Sequence, residues 1–384
     1  MYSVDDYGSM IADPVRRGAF ARALQAAVRP GSVVVDLGTG TGIMALLACR
    51  FGAGRVYALE PDDVIQTAKE IAALNGCSDR IEFIQDVSTR VTLPERADVI
   101  VSDIGGILPW FQRHIPAIVD ARRRLLSPGG LLIPERDDVW AAVVEAPALH
   151  ARKTAPWESG ATGFDMAPAR HMALNRWTHA RLDPSACLSR AISLATVEYS
   201  RIESHDLDTS TTLAIDRPGT GHGLLAGVTR TLVRGITLTN LPGAPEHEQS
   251  SGVYDTVFFP WTRAVPLDAG DVVTCGIGAK LIEHDYVWTW RTRVVDRGGR
   301  EKAAFLQSTF FGAPVSRETL RKRGAHHVPE INDDGRMARF ILDAMGRGVS
   351  VREIAIRLHA EFPERLPEMP DALRRVIGLS TFYD

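Results

Sequence analysis

Between Val33 and Gly42 the chain reads VVVDLGTGTG: an apolar run that ends in an acid, Asp36, and then glycines at 38, 40 and 42. Glycines so spaced let a backbone turn tightly and approach a ligand, because no Cβ stands in the way. Two more acids close apolar runs, Glu60 in RVYALEP and Asp86 in RIEFIQD. A fourth, Asp103, closes ADVIVSD and opens a loop, IGGILPWFQ, that ends on the amide of Gln112. Ionised carboxylates accept hydrogen bonds only, so Glu60 is suited to grip a pair of ribose hydroxyls and Asp86 to meet an adenine edge. The helix that follows the glycines turns its N-terminus toward the same ligand.

A lone glycine loop is weak evidence, since dinucleotide folds use one too. Here the pattern is GxGxG after an acid, not GxGxxG. Three acids at three successive strand ends, together with that loop, match an S-adenosylmethionine site. Asp86 taken alone reads equally as a turn acid, and a nicotinamide-dependent dehydrogenase is the remaining alternative for the loop. A methyl group on a sulfonium is already activated, so the chemistry expected is placement of a nucleophile and exclusion of water. Asp103, at a strand end on the acceptor side, is the candidate to orient an amine or accept a proton. Gln112 is its neutral companion, and Trp110 and Phe111 are candidate walls of an acceptor pocket.

The elements that must position these residues follow from hydrophobic period. Strand and helix signals alternate over residues 32–134: SVVVDLG, IMALLACRFGA, RVYALEP, DVIQTAKEIAALNG, RIEFIQD, ADVIVSD, HIPAIVDARRRLLSPGG and LLIP. That alternation predicts a parallel sheet wrapped by helices. Pro128-Gly129-Gly130 is the expected stop of the last helix. From about Pro134 the period becomes two, in DVWAAVVEAP, LATVEY, LLAGVTRTL, DTVFFP, VVTCGIGAKL, YVWTWRTRVV and KAAFLQSTFF. This predicts an antiparallel β-barrel or sandwich, interrupted over residues 155–186. The end is helical again. Met337, Phe340, Ile341 and Met345 form one stripe, and Ile354, Leu358 and Phe362 another behind a capping box of Ser350 and Glu353.

Composition sets outer bounds. The 384 residues suffice for two domains or slightly more, with 45% hydrophobic and 24% charged residues, as in ordinary globular chains. A net charge of −3 offers no global attraction to nucleic acid or to an anionic membrane. The cluster DARRRL reads as a solvated helix face. No apolar stretch is long enough to span a bilayer, and the N-terminus lacks a secretory signal. Four scattered cysteines without CxxC spacing, and an adjacent His326-His327 pair, give no metal site, and the expected setting is reducing and cytoplasmic.

Over roughly Tyr2–Phe311 the sequence resembles the protein arginine N-methyltransferases. MIADPVRRGAF (Met10–Phe20) is similar to the family's N-terminal helix motif, and VVVDLGTGTGI to its cofactor loop. VTLPERADVIVSD, ATGFDM and DTVFFP resemble further family segments. The resemblance implies a Rossmann-like α/β methyltransferase domain followed by an antiparallel β-barrel domain, and the helical pattern of the last residues adds a small C-terminal helical module. The expected division is residues 1–134, residues 135–320 with a dimerisation arm at 157–186, and residues 321–384. It implies S-adenosyl-L-methionine as cofactor, Arg16 as partner of its carboxylate and Glu60 as the ribose acid. Tyr7, where the family often has histidine, and Met10 would cover it. Asp36, Gly38, Thr39, Gly40, Gly42, Ile43, Pro61, Asp86, Val87 and Ser102 complete the cofactor set. It also implies a homodimer.

The substrate side departs from the family. Two glutamates that hold a guanidinium there are Asp103 and Gln112 here, and a Thr-His-Trp loop is replaced by Ser251–Val253. A planar guanidinium favours paired carboxylates. The expectation is therefore a methyltransferase of this architecture with a different acceptor, a peptide or amino-acid-derived group in natural-product tailoring. A guanidine or small-molecule N- or O-methyltransferase and an inactive cofactor-binding partner subunit are the alternatives. The last fifty or so residues resemble, in their helices, winged-helix-like elements that hold the leader peptide in ribosomal-peptide tailoring enzymes. That implies a leader peptide as a partner. A plain packing module reads equally well.

Overall fold

The computed structural model describes residues 3–158, 160, 163–245 and 253–383. It divides into two compact units, one ending at Pro314 and one beginning at Val315.

In the first unit, α1 (Val4–Ala12) and α2 (Pro14–Ala27) lead into a five-stranded sheet. Its strands are β1 (Val33–Leu37), β2 (Arg55–Leu59), β3 (Ile81–Ile84), β4 (Ala97–Ser102) and β5 (Leu126–Ile133), in the order β3-β2-β1-β4-β5. All four pairings are parallel. The crossovers are α3 (Ile43–Arg50), α4 (Val64–Leu74) and, between β4 and β5, α5 (His114–Arg124). The strands are apolar on both faces, as a sheet covered on both sides requires. Val35, Tyr57, Leu59 and Ile100 pack into one core, and Val34, Val56, Ala58 and Val99 into another with Phe20 and Leu24 of α2. Strand order reverses between β1 and β4, so their connections diverge and leave a crevice at the carboxyl ends.

The helix expected to run to Pro128-Gly129-Gly130 ends at Arg124 instead. Those three residues lie inside β5, where the register against β4 slips between the Ala97 and Val99 pairs. Pro and Gly on an edge strand mark a bulge as readily as a helix stop. The basic cluster is also less free than a solvated face: Arg122 and Arg123 pair with Glu203, and Arg124 with Asp120.

The period-two region forms two antiparallel sheets around a common core. Its elements are β6 (Arg136–Val144), α6 (Pro147–Thr154), α7 (Ala167–Leu174), β7 (Thr178–Ala180), β8 (Ile192–Glu198), β9 (Leu207–Ala214), β10 (Gly219–Val233) and β11 (Ile236–Thr239), then β12 (Thr256–Leu267), β13 (Val272–Ile282), β14 (Asp285–Val295) and β15 (Glu301–Ser308). One sheet runs β7-β12-β10-β6-β8 with β11 on β10, the other β15-β14-β13-β9. Trp261, Trp290, Phe258 and Phe259 fill the interior. The interruption at 155–186 is tied to this domain. β7 pairs with β12, and Ser308 N donates to Asn175 Oδ1 at 2.8 Å.

The second unit holds α8 (Arg317–Lys322), α9 (Asp333–Met345), α10 (Val351–Glu361) and α11 (Met369–Tyr383). Met337, Ile341, Ile354, Leu358, Ala372 and Val376 make its core, as the stripes predict for the first two long helices. The capping box is half made: Ser350 Oγ accepts from Glu353 N, but the Glu353 carboxylate pairs with Arg357. Among the described residues this unit contains no strand. Where the expectation was a winged-helix-like module, the described residues form a bundle of helices. No helix among the described residues is long and apolar enough to cross a membrane.

Candidate functional site

A cavity of about 760 Å³ opens at the carboxyl ends of the parallel strands, within the range of ligand pockets. Tyr7, Met10, Arg16, Asp36, Gly38, Thr39, Ile43, Glu60, Pro61, Asp86 and Val87 line it, together with Asp103 and Gln112. The structure thus brings both candidate sets into one space. Gly40, Gly42 and Ser102 stand behind the lining.

The glycine loop is shaped by close approach. Gly38, Gly40 and Gly42 have φ of +72°, +53° and +86°, which side-chain-bearing residues rarely adopt. A Cβ on Gly38 would sit 2.4 Å from Ile104, and one on Gly40 2.5 Å from the Tyr7 ring. The connections after β1 and β4, and α1, can close on the loop only because both are glycine. Asp36 braces it: Oδ2 accepts from Thr39 Oγ1 at 2.6 Å and Ala45 N at 3.0 Å. Burial pushes its carboxyl up to about 7 despite those bonds. Glu60 spans the loop and the next turn, accepting from Gly40 N at 3.0 Å and Asp62 N at 3.1 Å, and burial raises its pKa as well. Each Glu60 oxygen keeps acceptor capacity for a ligand hydroxyl. Ser102 Oγ is buried without a partner among the described residues. A tight glycine turn and an under-used carboxylate in the cavity wall fit a nucleoside-bearing ligand. Asp86 is less committed, since Arg90 and Val87 N hold it in an exposed position.

The other end is built from buried side-chain charge. Arg16, 5% exposed, donates from Nε to Asp103 Oδ2 at 2.8 Å and pairs through Nη2 at 2.6 Å, while Nη1 donates to Met10 O. Burial alone would lower its pKa, but the Asp103 charge holds it above the ordinary value. Two of its five N–H bonds have no partner among these contacts. Arg230 donates from Nη1 to Asp103 Oδ1 at 2.9 Å and forks through Nε and Nη2 onto both Asp137 oxygens, each at 2.9 Å. Tyr254 donates its hydroxyl to Asp103, at 2.6 and 2.5 Å from the two oxygens, and Tyr199 donates to Asp137 Oδ2 at 2.7 Å.

Around Asp103 the cavity is lined by Phe111, Gln112, Arg113, His114, Ala117 and His284. Gln112 has φ of +44°, a strained value for a residue with a side chain. His114 Nδ1 lies 2.9 Å from Pro109 O, and a carbonyl can only accept, so the neutral ring carries its proton on Nδ1. Burial lowers its pKa to about 4. Phe111 walls the cavity as expected, but Trp110 does not. It is buried edge-on to Trp288, with ring centroids 6.4 Å apart. Of the loop at 251–253, Ser251 and Gly252 lie outside the described residues. No group of His, Cys, Asp or Glu among the described residues is placed to hold a metal ion.

Sequence reasoning missed Arg230, Asp137, Tyr254, Tyr199, His114 and His284. One signal was present. In β10 the inward parity runs Leu224, Ala226, Val228, Arg230, Leu232, so Arg230 occupies an apolar position. Its register partner across to β6 is Asp137, itself fully buried.

Residues 20–148 match the family described as ribosomal protein L11 methyltransferase (PrmA). The probable protein arginine N-methyltransferase 6 of Arabidopsis thaliana is 31% identical over 166 residues, 43% of this chain and 38% of that one. The arginine N(omega)-methyltransferase of Streptomyces achromogenes subsp. streptozoticus is 28% identical over 284 residues, 70% of this chain and 74% of that one. The chain spans only 38% to 51% of the length of the first curated relatives it matches. Among solved structures, the Trypanosoma brucei PRMT1 enzyme-prozyme heterotetrameric complex with AdoHcy aligns with a TM-score of 0.71 at 18% identity, covering 79% of this chain and 96% of that one. Arabidopsis thaliana protein arginine methyltransferase 10 aligns at 0.70 with 19% identity, covering 80% and 97%. The fold is that of the protein arginine methyltransferases: a parallel Rossmann-like sheet, an antiparallel barrel and, in this chain, appended helices.

Proposed function

We propose that this chain is an S-adenosylmethionine-dependent methyltransferase built on the arginine-methyltransferase architecture, acting on a peptide or amino-acid-derived acceptor. The observation that carries the reading is a cavity in which Glu60, the glycine loop and Arg16 meet Asp103 and Gln112. Glu60 would take the ribose hydroxyls, Asp86 the adenine edge, and the free N–H bonds of Arg16 the methionine carboxylate. Tyr7 and Met10 would cover the ligand. When bound, S-adenosylmethionine supplies a methyl group already activated on sulfur. The protein's part is to hold Arg16 through Asp103, to exclude water with Tyr7, Met10 and Phe111, and to present the acceptor beside Gln112.

Support for an amino-acid-derived acceptor comes from the Streptomyces relative, which is named for arginine itself. Tailoring of a ribosomal peptide, with the helical unit as its leader-binding part, is the setting we assign. A homodimer through residues 157–186 and a reducing, cytoplasmic location, consistent with four unpaired cysteines, complete the reading. A second reading, an inactive cofactor-binding partner subunit, is favoured by one observation: every lone pair of Asp103 already has a protein donor.

Calorimetry with S-adenosylhomocysteine tests the cofactor half, and saturable binding is expected. Transfer of labelled methyl into peptides encoded beside this gene tests the rest. Absence of binding removes the reading, and binding without any transfer favours the partner subunit.

A further inference from the structure

The most heavily built feature of the molecule is the chain Tyr199–Asp137–Arg230–Asp103–Arg16, with Tyr254 attached at Asp103. Arg230 is 3% exposed and Asp137 fully buried. Arg230 does not line the cavity, but it reaches Asp103, which does. An ionised carboxylate offers about four acceptor sites. At Asp103 these are met by Arg16 Nε at 2.8 Å and Nη2 at 2.6 Å, Arg230 Nη1 at 2.9 Å, and the Tyr254 hydroxyl at 2.6 and 2.5 Å. Nothing is left for a guanidinium or ammonium arriving from the cavity.

The charge balance points the same way. Two guanidiniums, Arg16 and Arg230, face two carboxylates, Asp103 and Asp137, so the network is already neutral. Asp36, Glu60, Asp62 and Asp86, the other acids lining the cavity, sit in or directly after β1, β2 and β3, in the cofactor half. Around the acceptor the lining offers Gln112, Arg113, His114 and His284 and no further acid. A cationic acceptor would be buried next to two guanidiniums without a counter-ion, which is expensive.

We infer that Arg230 is an internal guanidinium that occupies Asp103 and sets acceptor specificity, so that the acceptor group enters uncharged or anionic: a hydroxyl, a thiol or a carboxylate. The inference rests on the methyltransferase reading and adds the residue that closes the site to cations. Asp137 is the positioning residue, because its bidentate grip fixes the plane of the Arg230 fork.

The test uses the full chain with S-adenosylhomocysteine at saturation and agmatine, which carries a guanidinium at one end and an ammonium at the other, as probe. Wild type should show neither agmatine binding nor, with labelled S-adenosylmethionine, methyl transfer to agmatine or arginine. Arg230→Met with Asp137→Asn removes the occupant and its buried counter-charge together. This variant should bind agmatine saturably at concentrations at least about tenfold below the highest at which wild type shows no binding. Arg230→Lys keeps the charge, and hence the fold, but cannot fork between two carboxylates, so it should give a smaller gain. Retained binding of S-adenosylhomocysteine shows that a variant is folded. Wild-type agmatine binding or methylation overturns the inference, as does a folded pair of variants that gains nothing. Wild type that fails to bind S-adenosylhomocysteine removes the methyltransferase reading itself, and the inference with it.

Discussion

The two ends of the cavity are made of different material. At the cofactor end, backbone amides and glycines do most of the shaping, and the contacts are local in sequence. Asp36 reaches Thr39 and Ala45, three and nine residues away, and Glu60 reaches Asp62 and Gly40, two and twenty away. At the acceptor end, buried side-chain charges are drawn from four separate elements. Arg16 and Asp103 are 87 residues apart, Arg230 and Asp137 93, Arg230 and Asp103 127, and Tyr254 and Asp103 151. A site made from one loop and two turns keeps its chemistry wherever that loop is kept. A site made by packing a barrel wall against a sheet can change its electrostatics through one strand residue such as Arg230, with the loop sequence unchanged.

That contrast predicts where damage spreads. Asp103→Ala should have the largest effect, because it strips the carboxylate from Arg16, which is 5% exposed and has no second acid in its contacts. Removing one member of a buried ion pair costs about 3–5 kcal/mol, and denaturant unfolding should show it. S-adenosylhomocysteine affinity should fall as well, since Arg16 loses its anchor. An Asp103→Ala protein as stable as wild type would mean the acceptor end is not held by its charges. Glu60→Gln comes next. Its effect should lie mainly in affinity, with a smaller loss of stability than at Asp103, because the Gly40 and Asp62 amides donate to different Glu60 oxygens and the single carbonyl oxygen of Gln can accept from only one of them. Hydrogen bonds to a charged group contribute about 1.5–3 kcal/mol, so calorimetry should show roughly a tenfold to hundredfold weaker S-adenosylhomocysteine complex.

The third prediction sets the two ends against each other in pH. Asp36 has its carboxyl raised from 3.8 to about 7 in the folded protein. Between those values the unfolded chain ionises first, so this group lowers stability as pH rises from about 4 to 7. His114 is lowered from 6.5 to about 4. Its contribution is present above 6.5 and is lost as pH falls toward 4, because the unfolded chain takes up the proton first. The two slopes oppose each other over nearly the same window. Asp36→Asn should therefore leave a protein that weakens with acid between pH 6.5 and 4, and His114→Gln one that weakens with base over the same range. Unfolding midpoints in urea at pH 4.5, 5.5 and 6.5, values chosen to span the window, would read the sign. Parallel curves for both variants would mean that neither group titrates as its burial implies.

The same contrast explains what could be read from the sequence. Alternating strand and helix signals gave the parallel sheet, and acids at successive strand ends gave the cofactor lining, because both are local patterns with a physical period. Asp103 and Gln112 were legible as positions, since they bracket one loop. Their partners were not. Arg230 stands opposite Asp137 only through the β6–β10 register, and Tyr254 arrives from the entry to β12. The Pro128-Gly129-Gly130 stop failed because a bulged edge strand and a helix end use the same residues. The half-made capping box at Ser350 failed because Arg357, one turn on, competes for Glu353.

Gln112 is where the smallest effect tells most about the acceptor end. Its φ of +44° belongs to the left-handed region, which costs a residue with a Cβ about 1–2 kcal/mol and costs glycine little. Replacing it by glycine returns that strain but adds freedom to the unfolded chain, a loss of roughly 0.5–1 kcal/mol. The balance for Gln112→Gly is a stability change between none and a gain of about 1.5 kcal/mol, readable in urea. Such strain is tolerated where the side chain is needed, and this amide lies in the cavity wall between Phe111 and Arg113. The gain should therefore come with weaker acceptor binding and unchanged S-adenosylhomocysteine binding, since the cofactor end does not touch this turn. A glycine variant clearly less stable than wild type would show that the turn is unstrained and remove the strain as a reason to assign Gln112 to the acceptor.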